Sequence, residues 1–146
     1  MAQFVDLPKR NSLFRRAESG PHARRFSGFK FVLGEAGVCW VPYGLDRMDE
    51  EYEDRYSPLG LSMKPSELWR RQGYSAYQHE PSVAKMIPLI GEDNIMLGSV
   101  HPHPDGIWAD SHTWIAGDIG SVTPALRRKL LCDNAGKLSG KLYGLF

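Results

Sequence analysis

The residue types best suited to chemistry stand close together in His101-Pro102-His103-Pro104-Asp105-Gly106. In an extended segment His101 and His103 face the same way, and two imidazoles so placed could hold a divalent cation. Two nitrogens make only a weak site, because structural zinc takes four ligands and catalytic zinc three plus water. The competing reading is a pair of loop histidines stiffened by Pro102 and Pro104, with Asp105-Gly106 as a turn and Asp110-Ser111 as a helix cap. Glu35 follows an apolar run, where a carboxylate either meets substrate and moves a proton or bonds to loop amides or an arginine. His79, beside Glu80, has the same choice between substrate and solvent. Arg71, with Arg70, could take a carboxylate, surface exposure being the alternative. The chain has no nucleophile elbow with an ordered triad and no Gly-rich phosphate loop.

The elements that must position these groups follow from periodicity. Phe29-Lys30-Phe31-Val32-Leu33 is β-prone and nearly all apolar, which predicts a strand covered on both faces, as in a parallel sheet. Val41, Leu45, Met48, Tyr52 and Tyr56 recur at helical spacing, with Asp46, Asp49, Glu50, Glu53 and Asp54 as a solvated face. Pro65 to Arg71 reads as a short helix with Ser66 as the cap candidate, and Gly73 breaks it before a second strand, Tyr74 to Tyr77. Pro81 opens a helix that places Val83, Ile87 and Ile90 on one face. Ile95-Met96-Leu97 is a third strand, and Thr123-Pro124 starts a last helix carrying Leu126, Leu130 and Leu131. Strand, helix, short helix, strand, helix, strand, helix is the order of parallel βα units, in which ligands collect beyond the carboxyl ends of the strands. Residues 1–28 carry Pro8, Gly20, Pro21 and a basic cluster, and read as an irregular lead-in with at most a short helix near Asn11 to Glu18.

Composition narrows the function classes. The chain has 146 residues, 42% hydrophobic and 24% charged, which suits one globular domain, or part of a larger one, and not disorder. Eighteen Lys plus Arg against seventeen Asp plus Glu give a formal charge of +1, so no global field draws it to nucleic acid or anionic lipid. No stretch approaches the roughly 18 apolar residues of a membrane span. No signal peptide is visible, which makes the cytoplasm the expected compartment. Cys39 and Cys132 have neither disulfide-framework nor zinc-site spacing and read as reduced thiols.

Taken in order, Lys30 to Gly37 with Trp40, Pro42-Tyr43 and Asp46-Arg47-Met48-Asp49, then Lys64 to Gln72, Gly91 to Met96, Gly98-Ser99 and Pro102 to Gly106 resemble the C-terminal half of amidohydrolase-related metal-dependent hydrolases. Trp108, Asp110-Ser111, Asp133-Asn134-Ala135 and Leu142-Tyr143-Gly144 continue the likeness. That family includes the aminocarboxymuconate-semialdehyde and resorcylate-type decarboxylases. The resemblance implies an α/β fold over 29–146: a partial TIM-barrel-like (β/α) fragment of about three parallel strands with flanking helices. It also implies a divalent metal, zinc or manganese, in the complete family, and hydrolysis or decarboxylation of a small carboxylated or ring substrate. A closed barrel of this kind takes about 250 residues. The family's His-x-His pair from the first strand is not among these residues, and Val100 stands where the family has a metal-binding, proton-handling Asp. Valine can do neither. The expectation is therefore little or no metal in this chain and no turnover by it alone. His101 and His103 are the weak metal candidates, and Glu35, His79 and Arg71 the substrate-side ones. An open fragment should associate with itself or with a complementary N-terminal half-barrel. A non-enzymatic oligomerisation or partner-binding protein on the same fold is the alternative.

Overall fold

A computed structural model describes residues 28–52, 63–104 and 106–140. Its elements are β1 (Phe31–Leu33), α1 (Val41–Glu51), α2 (Pro65–Gln72), β2 (Gly73–Tyr77), α3 (Val83–Ile90), β3 (Ile95–Leu97), α4 (Ser111–Ile119), α5 (Pro124–Arg128), a π-helical turn (Lys129–Asp133) and α6 (Asn134–Ser139). Three parallel strands form an open sheet in the order β1-β2-β3. Ser75, Ala76 and Tyr77 stand opposite Ile95, Met96 and Leu97. Short strands alternating with amphipathic helices bury one side chain in two on the sheet, which is why Ser75 and Tyr77 are fully covered and Tyr74 and Ala76 only half so.

The chain divides into two compact units, Met1–Phe31 with Tyr43–Gly73, and Val32–Pro42 with Tyr74–Phe146. In the first, Phe31 meets the buried Trp69 edge-on at 5.9 Å, beside the buried Leu45, Met48 and Leu68. The Asp49 carboxylate accepts from Ser66 N–H at 3.0 Å and Ser66 Oγ at 2.5 Å, fastening the start of α2. Gln72, completely buried, donates through Nε2 to the Phe29 carbonyl at 2.7 Å. In the second unit Val38, Val41, Tyr77, Val83, Ile87, Ile90, Ile95, Ile107, Ile119 and Leu130 make the core. By the area they remove from water, they supply most of its cohesion.

Several expectations change. The α1 helix ends at Glu51, and Tyr56 and the acidic pair Glu53 and Asp54 lie outside the described residues, as does the segment Asn11 to Glu18. Lys64, not Ser66, is the cap of α2, because Pro65 takes the first helical position and the Glu67 carboxylate folds back to the Lys64 N–H at 2.8 Å. Gly73 ends α2, as expected, and is also the first residue of β2; a Cβ there would stand 2.3 Å from the Trp69 ring. β1 is not covered on both faces, for Val32 is 43% exposed. Helix α4 has no counterpart in the periodicity, because its buried face carries Asp118 beside Ile119. Val83, Ile87 and Ile90, and the Thr123 cap, stand as expected, Thr123 Oγ1 accepting from Leu126 N–H at 3.3 Å.

Candidate functional site

In the second unit, the segments that follow the three strands carry the polar side chains. Glu80, three residues beyond β2, is their hub. Its carboxylate accepts from Val38 N–H at 2.7 Å and Cys39 N–H at 2.9 Å, in the segment after β1. Hydrogen bonds to an ionised acceptor are the stronger kind, so this clasp fixes the course of Gly34 to Trp40. Gly37 takes φ +65°, a left-handed conformation that favours glycine, and there is room for a Cβ beside the Glu80 carboxylate. Glu35, also left-handed at φ 54°, is displayed to solvent at the start of that segment. A non-glycine residue in this region costs about 1–2 kcal/mol.

Asp118 holds the hub in turn. Its side chain is 2% exposed; it accepts the Glu80 backbone N–H at 2.9 Å and faces His79 Nδ1 at 3.0 and 3.1 Å. Facing an acceptor-only carboxylate, His79 Nδ1 donates to Asp118. The imidazole packs on Trp114, 4.2 Å between centroids, and stays 39% exposed. Burial, a hydrogen bond to Glu80 and the charges of Glu80 and Asp118 push the Cys39 thiol up to about 12, so it is protonated and no nucleophile. Burial, then the charges of Asp118 and Glu80, likewise push Tyr77 upward.

The loop after β3 is pinned by its own backbone: His103 N–H to Val100 O at 2.8 Å, Gly106 N–H to His103 O at 2.9 Å, and Ile107 N–H to Ser99 O at 3.2 Å. Val100 takes φ 53°, a left-handed conformation that a β-branched side chain rarely adopts. His101 and His103 are exposed, and the His101 ring stands edge-on to Trp108 at 5.1 Å and 70°. No group of three His, Cys, Asp or Glu suited to a metal occurs among the described residues. Asp105 lies outside them. Arg71 belongs to the first unit, where its guanidinium donates to Gln72 Oε1 at 3.0 Å. The sequence singled out His79 but missed Glu80 as clasp and Asp118 as anchor. Glu80 could have been suspected as a carboxylate beside a strand-end histidine, whereas Asp118 carried no signal.

A family model described as amidohydrolase matches residues 11–141. No curated protein matches the chain in sequence. Among solved structures, an amidohydrolase from Mycobacterium avium subsp. paratuberculosis K-10 is 25% identical with a TM-score of 0.68, over 86% of this chain and 30% of its own. The 5-carboxyvanillate decarboxylase of Sphingomonas paucimobilis is 24% identical with a TM-score of 0.69, over 88% of this chain and 38% of its own. A dihydroxybenzoic acid decarboxylase from Polaromonas sp. JS666, with bound manganese and the inhibitor 2-nitroresorcinol, is 20% identical with a TM-score of 0.57, over 91% of this chain and 46% of its own. The chain thus spans less than half the length of these structures, and its open sheet matches part of their TIM-barrel-like fold. Among the described residues no helix is long and apolar enough to cross a membrane.

Proposed function

The chain belongs to the amidohydrolase family, and from that premise we propose that these residues are the C-terminal portion of a hydrolase or decarboxylase acting on a small carboxylated or ring substrate, without turnover by themselves. The observation that carries this reading is the match over 11–141 to a family whose structural neighbours include decarboxylases of aromatic acids. A manganese-bearing neighbour raises the question of metal. The residues here do not fit one: Val100 offers no donor atom, and no three ligating side chains converge among the described residues. Glu80 and Asp118 position the segments beyond β1 and β2, and Glu35 is the carboxylate those segments display.

The test is decarboxylation of 5-carboxyvanillate and dihydroxybenzoate, followed as released carbon dioxide, with manganese or zinc added. The chain alone is expected to give none. Co-expression with the part of the Mycobacterium avium amidohydrolase that it does not match should give an active pair, and Val100→Asp should raise the pair's turnover. Turnover by the chain alone, or no gain on that substitution, would overturn the reading.

A second reading has one observation of its own. Val32, in the middle of β1, is 43% exposed, and a sheet with a bare apolar position offers a surface for another polypeptide. On this view the chain is an assembly or partner-binding protein. Static light scattering separates the two: a stable homo-oligomer that Val32→Lys dissociates favours assembly.

A further inference from the structure

We infer that His79 is a nucleophile toward activated aryl esters, its Nε2 taking the acyl group while the buried Asp118 carboxylate holds the ring from the other side. Asp118 is 2% exposed and meets His79 Nδ1 through both oxygens, at 3.0 and 3.1 Å. A carboxylate on one ring nitrogen fixes the ring's orientation and puts the lone pair of the uncharged imidazole on the other nitrogen. That other nitrogen is open. The side chain is 39% exposed, and Nε2 has no hydrogen-bond partner among the described residues. Trp114 backs the ring at 4.2 Å between centroids, so the imidazole is gripped by two side chains of α4 and keeps a free edge. A base or nucleophile oriented by a third group is the arrangement that prepares a histidine for reaction. Cys39 and Tyr77, the neighbouring candidates, keep their protons.

Nε2 adds to the ester carbonyl, the bond to the aryl oxygen breaks, and aryloxide leaves with the electron pair. The ring, acylated at Nε2 and still protonated at Nδ1, is then a cation beside Asp118, whose charge stabilises it as it forms. Water adds to the acyl carbon, the C–N bond breaks and its electron pair returns to Nε2. One proton of that water stays with the carboxylic acid and the other neutralises the aryloxide. His79 commits its one N–H to Asp118 and cannot protonate a departing alkoxide, so the alcohol must leave as a stable anion. The indole of Trp114, 40% exposed, offers an aryl group a flat face. This chemistry goes beyond the decarboxylation of the preceding section and needs only the ring, the ester and water, so the two stand or fall separately.

The full chain, carrying Cys132→Ser so that its exposed thiol does not compete, is given p-nitrophenyl acetate in a chelator-containing buffer, and nitrophenolate release is followed. The rate per chain should exceed that of free imidazole at equal concentration several-fold, and ethyl acetate should be untouched. His79→Gln should lose most of the rate although His22, His101, His103 and His112 remain. In Asp118→Asn the amide oxygen is taken by the Glu80 N–H, which leaves the amide NH2 to face Nδ1 and moves the ring proton to Nε2. That variant should lose the rate several-fold, and nitrogen-15 NMR should show the proton of the uncharged His79 ring moved from Nδ1 to Nε2, which a merely structural role of Asp118 would not do. A chain no faster than imidazole, an undiminished rate in His79→Gln, or a folded Asp118→Asn chain with full rate would overturn the inference.

Discussion

The Glu80 carboxylate closes on the backbone of Val38 at 2.7 Å and so ties the segment after β1 to the segment after β2. Its second oxygen takes Cys39 N–H at 2.9 Å, and its own N–H is given to buried Asp118. Two strand-end segments are thus held by one side chain.

Removing that side chain should be costly. Glu80→Ala leaves two part-buried N–H groups without their acceptor, and at about 1.5–3 kcal/mol for each bond to a charged group the chain should lose roughly 3–6 kcal/mol. Glu80→Gln keeps one acceptor and should lose about half as much. Urea denaturation of the two variants against the parent checks the order, and an unchanged midpoint in Glu80→Ala would count against the clasp.

Cys39 links stability to alkaline pH. Its thiol ionises near 9.0 when unfolded and near 12 in the fold, so between those values the folded chain keeps a proton that the unfolded chain has lost. Stability from this group is fully present below pH 9.0 and declines as pH rises toward 12. Denaturation midpoints measured from pH 8 upward should fall, and Cys39→Ser should flatten that fall. Iodoacetamide should label the exposed Cys132 well before Cys39.

Much of this arrangement was legible because it rests on periodicity and caps. Val83, Ile87 and Ile90 announce their helix by spacing, and Thr123-Pro124 announces α5 by chemistry. Both signals are local. The Glu80–Val38 bond joins residues 42 apart, and the His79–Asp118 contact residues 39 apart. A carboxylate serving distant backbone reads in the sequence as one more acidic residue. Helix α4 was marked only by its Asp110-Ser111 start: where a helix buries an anchor such as Asp118, apolar spacing no longer marks its inner face. Val100 shows the converse. The sequence marked it as the wrong residue for a metal, while its left-handed backbone emerged only from the fold.

That backbone makes Val100 improvable. At φ 53° a β-branched side chain crowds the neighbouring carbonyl, whereas Asn and Asp adopt this region readily. Val100→Asn and Val100→Asp should each stabilise the chain by about 1 kcal/mol. In a chain of this size the gain appears as a rise in Tm of roughly 4 °C. Val100→Gly relieves the same strain but gives part of the gain back through a freer unfolded chain. Val100→Thr, still β-branched, should gain nothing. Thermal melts in a chelator-containing buffer isolate the backbone effect from any metal, and a lower Tm for the Asn variant would refute it.

At the opposite end of β3, Asn134 does with one amide what Glu80 does with one carboxylate. The π-helical turn Lys129–Asp133 delivers it to the strand, where Nδ2 donates to the Glu92 and Ile95 carbonyls, both at 2.7 Å. Asn134 is completely buried, so truncation strands carbonyls that water reaches poorly. The nearby ion pairs, Lys129 with Glu92 at 2.9 Å and with Asp93 at 3.1 Å, lie at the surface, as does Lys137 with Asp93. The hydrogen bond from Lys129 holds the Asp93 carboxyl below its ordinary value, yet solvent screens such pairs. Asn134→Ala should therefore cost about 2–4 kcal/mol and keep that cost in high salt. Lys129→Ala should cost less than about 1 kcal/mol, and less still as salt rises. Denaturation of both variants at low and high ionic strength decides it: equal losses, or a salt-sensitive Asn134→Ala, would mean that β3 is held by its charges and not by the amide.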